Sequence, residues 1–342
     1  MKIHQVVITG KEQVSLETAE LDEKNLGPDE LFIETESTFI SAGTELANYT
    51  GIDKRVYIPG SWCSYPSKSG YTNVGVVRDA GEAGKELIGK RVFTYGQHAS
   101  HLRYSADRLY KMVVPVPEGL SSEEAVAVRM AQVAMAALDA SKPQYMRWVI
   151  VFGMGMVGNL AAQLFRLTGA QVIAVEPSKT RRHMARDCGI PYAIKGSEEE
   201  ILAQVNEITD GKLAQVTVDA VGHSSVMMQA LDLTAKGGEV IALGSPREDV
   251  EGNLTDVFAA AFHQWITIKG CLEWNMVTDS PLVQDYTQRK KLDGLYAWLA
   301  DGRLQVKPMI THVLPPTEIK TAYEGLLHKK EEYVGVVLNW KG

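Results

Sequence analysis

The chain has 342 residues, of which 45% are apolar and 23% charged, and its formal net charge at pH 7 is −7. This length fits two domains better than one core, and the composition is that of an ordinary globular protein. The sequence has no dense Lys/Arg cluster, which argues against a nucleic-acid partner or an anionic membrane surface. No apolar stretch reaches the ~18 residues of a membrane span, and the N-terminal segment lacks a signal-peptide core, so we expect a cytoplasmic protein.

The first third of the chain is rich in short segments of β-branched residues. Gly, Pro, Asp and Asn separate these segments, a pattern that predicts a β-rich domain. The predicted strands cover residues 2–10, 13–21, 30–40, 72–80, 90–96 and 109–117.

The pattern changes at Ser121, which forms a capping box with Glu124 at the start of a predicted helix ending near Ser141. Beyond it, apolar strands alternate with single helices, which is typical of parallel βαβ units with helices on both faces of the sheet. One helix closes at Gly169, another near Gly189, a third starts at Ser197, and a fourth runs to Lys236. The six predicted strands cover 148–153, 171–175, 192–194, 214–222, 238–244 and 266–270.

The C-terminal part contains predicted helices over 279–304 and 317–329 and a last strand over 333–340. The sequence therefore predicts an α/β protein of two domains. A β-rich domain comprises residues 1–130 and 276–342, and a doubly wound domain with a six-stranded parallel sheet comprises residues 131–275.

The stretch "VFGMGMVGNL" follows the first strand of the doubly wound domain and carries glycines at 153, 155 and 158. Gly153 permits a tight turn, Gly155 lets the backbone approach a pyrophosphate, and Gly158 allows close packing of helix on strand. Met156 and Val157 lie in the first turn of the following helix, whose unpaired N–H groups and positive dipole end favour phosphate. This context predicts a dinucleotide-binding loop.

Glu176 ends the next strand, 18 residues after Gly158. An acid about 20 residues after the loop accepts hydrogen bonds from the ribose hydroxyls and repels a 2′-phosphate, so NAD is favoured over NADP. Lys179, Arg181 and Arg182 follow closely and are placed to turn toward such a phosphate, which keeps NADP open.

Taken together, the chain resembles the medium-chain dehydrogenase/reductase superfamily (zinc-type alcohol dehydrogenase-like) over almost its full length. The segments that carry the resemblance are "STFISAGTELANYTG", "SGYTNVGVV", "VPVPEGLSSEEAVAV", "VTVDAVGHSSVMMQALDLTAKGGEVIALGSP" and "DGRLQVKPMITHVLPPTEIKTAYEGL". The resemblance implies a chaperonin-10-like β-rich catalytic domain, a Rossmann domain and an active site between them. It also implies that the loops carrying Val221 and Gly244 bind the cofactor.

The same resemblance implies a catalytic zinc, but the positions of its usual ligands hold poor donors. Ala42 stands at the first cysteine position, Tyr71 and Thr72 replace the histidine and glutamate of the Gly-His-Glu segment, and Met130 and Ala131 occupy the last position. Ala and Met are poor ligands for such a dication, and Tyr or Thr would bind only when deprotonated. The four-cysteine lobe for structural zinc is also missing. We therefore expect a zinc-free member, similar to the bacteriochlorophyllide-dehydrogenase-like group.

Without a metal, a side chain must move the hydroxyl proton. Thr44 matches the superfamily position that relays this proton, with a local backbone hydrogen bond as the alternative role. Tyr71 could polarise a carbonyl or donate a proton. The alternative is that its ring simply fills the volume that the metal would occupy. Lys68 could lower the pKa of the Tyr71 hydroxyl. His98 suits general acid–base work or a structural role. Glu45 is expected to bind backbone or an arginine.

These features predict a zinc-independent NAD(P)-dependent oxidoreductase acting on a small alcohol or ketone such as a polyol or sugar. An NADPH-dependent quinone or enoyl reductase is the alternative enzyme, and a nucleotide-binding sensor or structural protein is the alternative outside enzymes. Four aromatic residues either line a substrate cleft or pack in the core: Tyr49, Trp62, Tyr65 and Trp274. The exposed edge strand "TIKG" predicts a homodimer.

Overall fold

The computed structural model describes residues 1–105, 112–142, 144–275 and 287–341. The predicted strand at 109–117 and the predicted helix at 279–304 each begin outside the described residues. Two units make up the chain. The first comprises Met1–Arg129, Met276–Gly302 and Ile310–Gly342, and the second comprises Met130–Asn275 and Arg303–Met309. Within the described ranges, no helix combines the length and apolar character needed to cross a membrane.

The strands are β1 Lys2–Gly10, β2 Gln13–Glu20, β3 Glu30–Phe39, β4 Ser67–Lys68, β5 Asn73–Ala80, β6 Arg91–Thr94, β7 His101–Ser105, β8 Val113–Pro115, β9 Trp148–Phe152, β10 Gln171–Val175, β11 Tyr192–Ile194, β12 Ala214–Asp219, β13 Thr234–Ala242, β14 Thr267–Gly270, β15 Ile310–Leu314 and β16 Gly335–Asn339. The α-helices are α1 Ala42–Thr50, α2 Ser122–Ala140, α3 Met156–Leu167, α4 Lys179–Asp187, α5 Glu198–Thr209, α6 Ser224–Asp232, α7 Leu254–Gln264, α8 Gln288–Ala300 and α9 Ile319–His328.

The first unit contains two sheets. The smaller has the strand order β2-β1-β4, and the larger has the order β15-β16-β3-β5-β6-β8 with β7 paired to β3. β3 is the most central strand because it pairs antiparallel with β5, β7 and β16. Its apolar side chains Leu31 and Ile33 are buried in one core cluster with side chains of β5, β6 and β7.

A second core cluster of the same unit joins α1 and α9 to β1 and β16. Tyr49 on α1 and Tyr323 on α9 are fully buried there, and their rings meet edge to face at 5.2 Å between centroids. Such an edge-to-face pair contributes about 0.5–1.5 kcal/mol beyond the burial of its area. The C-terminal helix α9 is thereby fixed against the N-terminal helix α1.

The second unit is a six-stranded sheet of order β11-β10-β9-β12-β13-β14, in which every neighbouring pair is parallel. The strand order reverses between β9 and β12, which is where open α/β sheets bind ligands at the carboxyl ends of their strands. The strands β9 and β10 are nearly continuous apolar runs, as expected of a parallel sheet that is buried on both faces.

The predicted fold class is confirmed in both of its parts, the six-stranded parallel sheet and the separate β-rich unit. Several local details differ. The helix predicted to reach Lys236 ends at Asp232, because residues from Thr234 onward already pair with β12. The helices α1 and α7 and the strand β7 were not predicted. The capping box predicted at Ser121 is half formed, since the Glu124 N–H donates to the Ser121 hydroxyl and the Glu124 carboxylate accepts from that same hydroxyl.

Candidate functional site

The loop between β9 and α3 is built around three glycines. Gly153 has φ of +83° and a Cβ there would lie 2.8 Å from Val221 Cγ2, so a side chain is disfavoured by conformation and by space. A Cβ on Gly158 would lie 1.8 Å from the carbonyl oxygen of Gly153, which means that α3 contacts the turn directly. At Gly155 the space is open, because the nearest atom to a Cβ is Arg181 Nη1 at 4.0 Å.

Gly155 is also the N-cap of α3, and no side chain caps this helix. The first N–H groups of the helix, at Met156 and Val157, therefore remain available to an anion at the positive end of the helix dipole. Open space above Gly155 and an uncapped helix end are what a bound diphosphate requires.

Glu176 is buried at the end of β10 and braces this loop. One carboxylate oxygen accepts the Met154 N–H at 2.7 Å, and the other accepts the Ser178 N–H at 2.8 Å. Each carboxylate oxygen has a second lone pair, so the residue retains capacity for a hydroxyl donor. Glu176 thus links the glycine loop to the start of α4.

Arg181 and Arg182 lie on α4 but differ in their contacts. Arg182 is buried, and its guanidinium donates to the carbonyl oxygens of Glu176 and Pro177 at 2.7 and 2.6 Å. Arg181 is half-buried, with its guanidinium at the edge of the glycine loop beside Gly155. Of the two arginines, Arg181 is the one beside the glycine loop.

Two further loops, after β12 and β13, meet at Asp219. Its carboxylate accepts the N–H groups of Val221 and Gly222 at 2.8 and 3.0 Å, and its carbonyl accepts those of Leu243 and Gly244 at 3.0 and 2.7 Å. Burial raises the pKa of Asp219 above its ordinary value, although the N–H bonds act in the opposite direction. Asp219 therefore has a structural role, in which it is hydrogen-bonded to both loops.

The close approach of these loops explains why residue 244 is a glycine, because a Cβ there would lie 2.3 Å from the Gly222 nitrogen. Val221 is exposed and contacts Gly153. The residues predicted to bind a dinucleotide therefore lie together at the carboxyl ends of neighbouring strands: Gly153, Gly155, Met156, Val157, Gly158, Glu176, Arg181, Val221 and Gly244. This donor set fits a dinucleotide.

In the first unit, a buried polar network centres on Glu45 of α1. One of its oxygens accepts the Ser41 N–H at 2.7 Å. The other is shared by Ser69 Oγ at 3.0 Å, Tyr323 Oη at 2.7 Å and His98 Nε2 at 2.9 Å. Glu45 was expected to bind backbone or an arginine, and it binds backbone, two hydroxyls and an imidazole.

Burial by itself raises the pKa of Glu45, but the adjacent His98 and the hydrogen bonds to the carboxylate outweigh it, so the pKa lies below its ordinary value. Burial, followed by the Glu45 charge, raises the pKa of the Tyr323 hydroxyl well above its ordinary value. The network therefore holds an ionised carboxylate and a protonated phenol. Tyr323 was not identified from sequence.

His98 is fully buried, and its Nδ1 has no hydrogen-bond partner among the described residues. A Cβ on Gly70, which has φ of +91°, would lie 2.7 Å from this nitrogen, so glycine is needed for the ring to fit. The His98 ring therefore packs against Gly70, the residue that precedes Tyr71.

Tyr71 is half-buried, and its hydroxyl forms a short hydrogen bond with Ser41 Oγ. The guanidinium of the fully buried Arg129 lies over its ring, with Cζ 5.1 Å from the ring centroid. The same guanidinium lies 4.9 Å from the centroid of Tyr95. Lys68 was considered as the charge beside Tyr71, but it is exposed on β4 and makes no described contact with Tyr71. The cation beside Tyr71 is Arg129.

Sequence alone does not identify Arg129 as the partner of Tyr71, because the two residues are far apart in the chain. The available signal was a single charged residue within the otherwise apolar helical stretch "AVAVRMAQVAMAAL". Such a residue is rarely buried without a specific partner.

Thr44 is half-buried on α1, and its hydroxyl makes no hydrogen bond within the described part of the chain. The alternative role, a local backbone hydrogen bond, is therefore not observed. Thr72 is fully buried, and its hydroxyl donates to the Val126 carbonyl at 3.1 Å.

A catalytic zinc does not fit these residues. The Tyr71 and Thr72 hydroxyls are bound to other protein atoms, and Ala42, Met130 and Ala131 offer no suitable donor. Across the described ranges, no group of three or more His, Cys, Asp or Glu side chains is arranged to hold a metal ion.

Two of the aromatic residues considered for a substrate cleft belong to the core instead. Tyr49 is fully buried and donates to Glu324 at 2.5 Å. Tyr65 packs against the same cluster, and its hydroxyl bonds to the Asn48 carbonyl. Both hydroxyls thus satisfy protein acceptors. Trp62 and Trp274 are exposed.

Comparison with known proteins finds mainly dehydrogenases among the relatives. Residues 156–283 match the family described as zinc-binding dehydrogenase. An L-threonine 3-dehydrogenase from Bacillus licheniformis is 27% identical over 75% of this chain and 69% of its own length. Several other curated relatives are matched over about half of their length.

Solved structures match over nearly the whole chain. An oxidoreductase of unknown specificity from Escherichia coli has a TM-score of 0.83 with 19% identity, covering 99% of each chain. An E. coli alcohol dehydrogenase in complex with NADH has a TM-score of 0.78 with 17% identity, again covering 99% of each chain. Together with the glycine loop and the sheet order, these matches support the medium-chain dehydrogenase/reductase superfamily, whose alcohol dehydrogenase-like enzymes this chain is similar to.

Proposed function

We propose that the protein is a zinc-independent, NAD-dependent oxidoreductase that transfers a hydride between the nicotinamide and a small alcohol or ketone, such as a polyol or sugar. In this proposal the second unit is the cofactor domain and the first is the catalytic domain. The observation that carries the proposal is the glycine loop, whose open Gly155 and uncapped helix end are joined to a buried acid after the next strand.

The cofactor would be held by the residues gathered at the carboxyl ends of β9, β10, β12 and β13. The N–H groups at the start of α3 would bind its diphosphate, and Glu176 would accept from the ribose hydroxyls. When bound, the nicotinamide supplies or accepts the hydride. The carboxylate of Glu176 favours NAD because it repels a 2′-phosphate.

Proton transfer would fall to hydroxyl groups of the first unit. Tyr71 is the first candidate, because its phenol lies beside a cation and a serine hydroxyl. Thr44 is the second, because its hydroxyl makes no described hydrogen bond. His98 would act indirectly, since it is buried and bound to Glu45.

The test is a fluorescence titration of the metal-free protein with NADH and with NADPH, followed by assay with a panel of secondary alcohols, polyols, sugars and ketones. We expect tighter binding of NADH and turnover of at least one substrate class after dialysis against a chelator. Tight NADH binding with no turnover across the panel would contradict the proposal and favour a sensor or structural role.

The second candidate function is an NADPH-dependent quinone or enoyl reductase. The position of the Arg181 guanidinium at the edge of the glycine loop favours it, because a 2′-phosphate needs such a cation. A clear preference for NADPH, together with reduction of quinones or enones rather than ketones, would select this alternative.

We also propose that the protein is a homodimer. In the described strands, β14 pairs only with β13 and leaves its other edge open. Exposed apolar side chains occur on α7, on β14 and in the residues next to them: Leu254, Phe258, Phe262, Trp265, Ile268 and Leu272. Open edges and contiguous apolar surface are typical of subunit contacts. Light scattering should give a dimer mass, and the double substitution Phe258→Glu and Phe262→Glu should give a monomer.

A further inference from the structure

Arg129 is one of the largest fully buried side chains of the described chain. Burying a cation costs free energy unless its charge is compensated. Here the guanidinium lies over two aromatic rings, with Cζ 5.1 Å from the Tyr71 centroid and 4.9 Å from the Tyr95 centroid. A cation within about 6 Å of an aromatic face is attracted to it, and more strongly where water is excluded.

The phenol of Tyr71 has a defined partner as well. Its hydroxyl is hydrogen-bonded to Ser41 Oγ, and Ser41 is itself fixed because its N–H donates to Glu45 at 2.7 Å. A serine hydroxyl donates to a phenolate as readily as it accepts from a phenol. The hydrogen bond can therefore persist when Tyr71 loses its proton.

We propose that Arg129 is a positioning residue that, together with the Ser41 hydroxyl, holds the Tyr71 phenol ready to release and regain a proton. This inference rests on the proposed function, in which Tyr71 moves the proton of the reaction. In carbonyl reduction the Tyr71 O–H bond breaks and its proton bonds to the substrate oxygen, while the carbon accepts the hydride. The phenolate then regains a proton from water.

Other titratable groups near Tyr71 act on it in different directions. Arg129 on α2 favours the phenolate, whereas the ionised Glu45 on α1 opposes it. The Glu45 charge is already shared among the Ser69, Tyr323 and His98 donors. Two titratable groups come from the loop after β6: Tyr95, whose ring also lies near the Arg129 guanidinium, and His98, which lies against Gly70.

The experiment measures the ionisation of Tyr71 in the protein without cofactor or substrate. The protein is labelled with ¹³C at tyrosine Cζ, and the Tyr71→Phe variant assigns the resonance. Burial raises the pKa of Tyr65 and of Tyr104 to about 12, so these residues titrate later. A neighbouring opposite charge favours the ionised form of a group, so we expect the Tyr71 midpoint to lie below the ordinary value of about 10.

Three variants distinguish a charge effect from a structural one. Arg129→Met should raise the Tyr71 midpoint by at least about 1 unit, and Arg129→Lys should retain most of the lowered value. Arg55→Met is the matched control, because Arg55 lies over Trp62 at 5.5 Å in an exposed pair, and it should leave the Tyr71 midpoint unchanged.

An unchanged Tyr71 midpoint in a folded Arg129→Met variant would overturn the inference. If that variant does not fold, the wild-type midpoint decides, since a value at or above ~10 also overturns it. The measurement needs no turnover. A low midpoint in a protein that transfers no hydride would therefore refute the proposed function and leave this inference standing.

Discussion

The two candidate sites differ in whether backbone or side-chain groups form them. In the second unit, the site consists of backbone: glycines that leave space, the uncapped N–H groups of α3, and loops held by Glu176 and Asp219. In the first unit, it consists of side chains from separate segments, with Tyr71 held between Ser41 and Arg129. The candidate cofactor site therefore depends on chain conformation, whereas the candidate proton-transfer site depends on a few chemical groups.

The largest expected effect tests the side-chain site. Removing the Tyr71 hydroxyl in Tyr71→Phe should lower kcat by about 10²–10⁴-fold, the usual contribution of a general acid or base. NADH affinity should stay the same, because the proposed cofactor site is in the other unit. Steady-state kinetics and NADH fluorescence titration measure the two quantities.

The matched control for Tyr71→Phe is Tyr145→Phe, which removes the hydroxyl of an exposed tyrosine and should leave kcat unchanged. A Tyr71→Phe variant with normal kcat would eliminate the phenol as proton carrier and leave Thr44 as the candidate.

The next effect concerns the buried network behind that site. Glu45→Gln should lower the free energy of unfolding by about 3 kcal/mol at pH 7, because it removes one partner of a buried, charge-assisted network. Because folding lowers the Glu45 pKa, its ionisation stabilises the protein above the unfolded value of about 4.5, and this contribution disappears as pH falls below it. Urea denaturation of both proteins from pH 3 to 7 should show their difference shrinking below pH ~4.5.

The exposed acid Glu82, which pairs with Lys85, provides the control for Glu45. Glu82→Gln should change the free energy of unfolding by about 0–0.5 kcal/mol. A pH-independent difference between wild type and Glu45→Gln would show that the lost stability is not linked to ionisation of this carboxylate.

A smaller effect is expected from two glycine-to-alanine substitutions in the loop between β9 and α3. Gly158→Ala places a Cβ 1.8 Å from the Gly153 carbonyl and should weaken NADH binding about 10–100-fold, equivalent to an overpacking cost of about 1–3 kcal/mol. It should also lower the melting temperature of the free protein. Gly155→Ala meets no atom closer than 4.0 Å, so it should weaken NADH binding while leaving that melting temperature unchanged.

Differential scanning fluorimetry and NADH titration measure both glycine variants. Equal melting temperatures for Gly158→Ala and Gly155→Ala would contradict the close contact between α3 and the preceding turn.

The last prediction is that removal of metal ions has no effect. Dialysis against a chelator should leave kcat and the melting temperature unchanged, because the usual zinc-ligand positions hold Ala42, Tyr71, Thr72, Met130 and Ala131. Elemental analysis should find substoichiometric zinc. A zinc-type alcohol dehydrogenase treated in parallel provides the positive control. Stoichiometric zinc whose removal abolishes turnover would show that a different set of ligands assembles in this unit.

The same difference between backbone and side-chain groups determines how well each candidate site can be predicted from the sequence. The glycine loop is a local feature, so the spacing of Gly153, Gly155 and Gly158 next to an apolar strand was sufficient to predict it. The six parallel strands were predictable for the same reason, since each strand and helix is contiguous in sequence.

The side-chain site was less predictable because its contacts are distant in sequence. Tyr323 lies 278 residues from Glu45, and no local pattern links them. The sequence suggests Lys68 as the charge beside Tyr71, whereas Arg129 supplies it in the structure. The positions themselves were identified through the superfamily resemblance, whereas the partners that determine their chemistry depend on long-range packing.

Asp219 has a consequence for engineering cofactor preference. Its carboxylate holds the loop after β12 and its carbonyl holds the loop after β13. Exchanging either loop alone with that of a relative would break half of these bonds and misalign the loop that was kept. A successful graft should transplant both loops with Asp219 as one cassette.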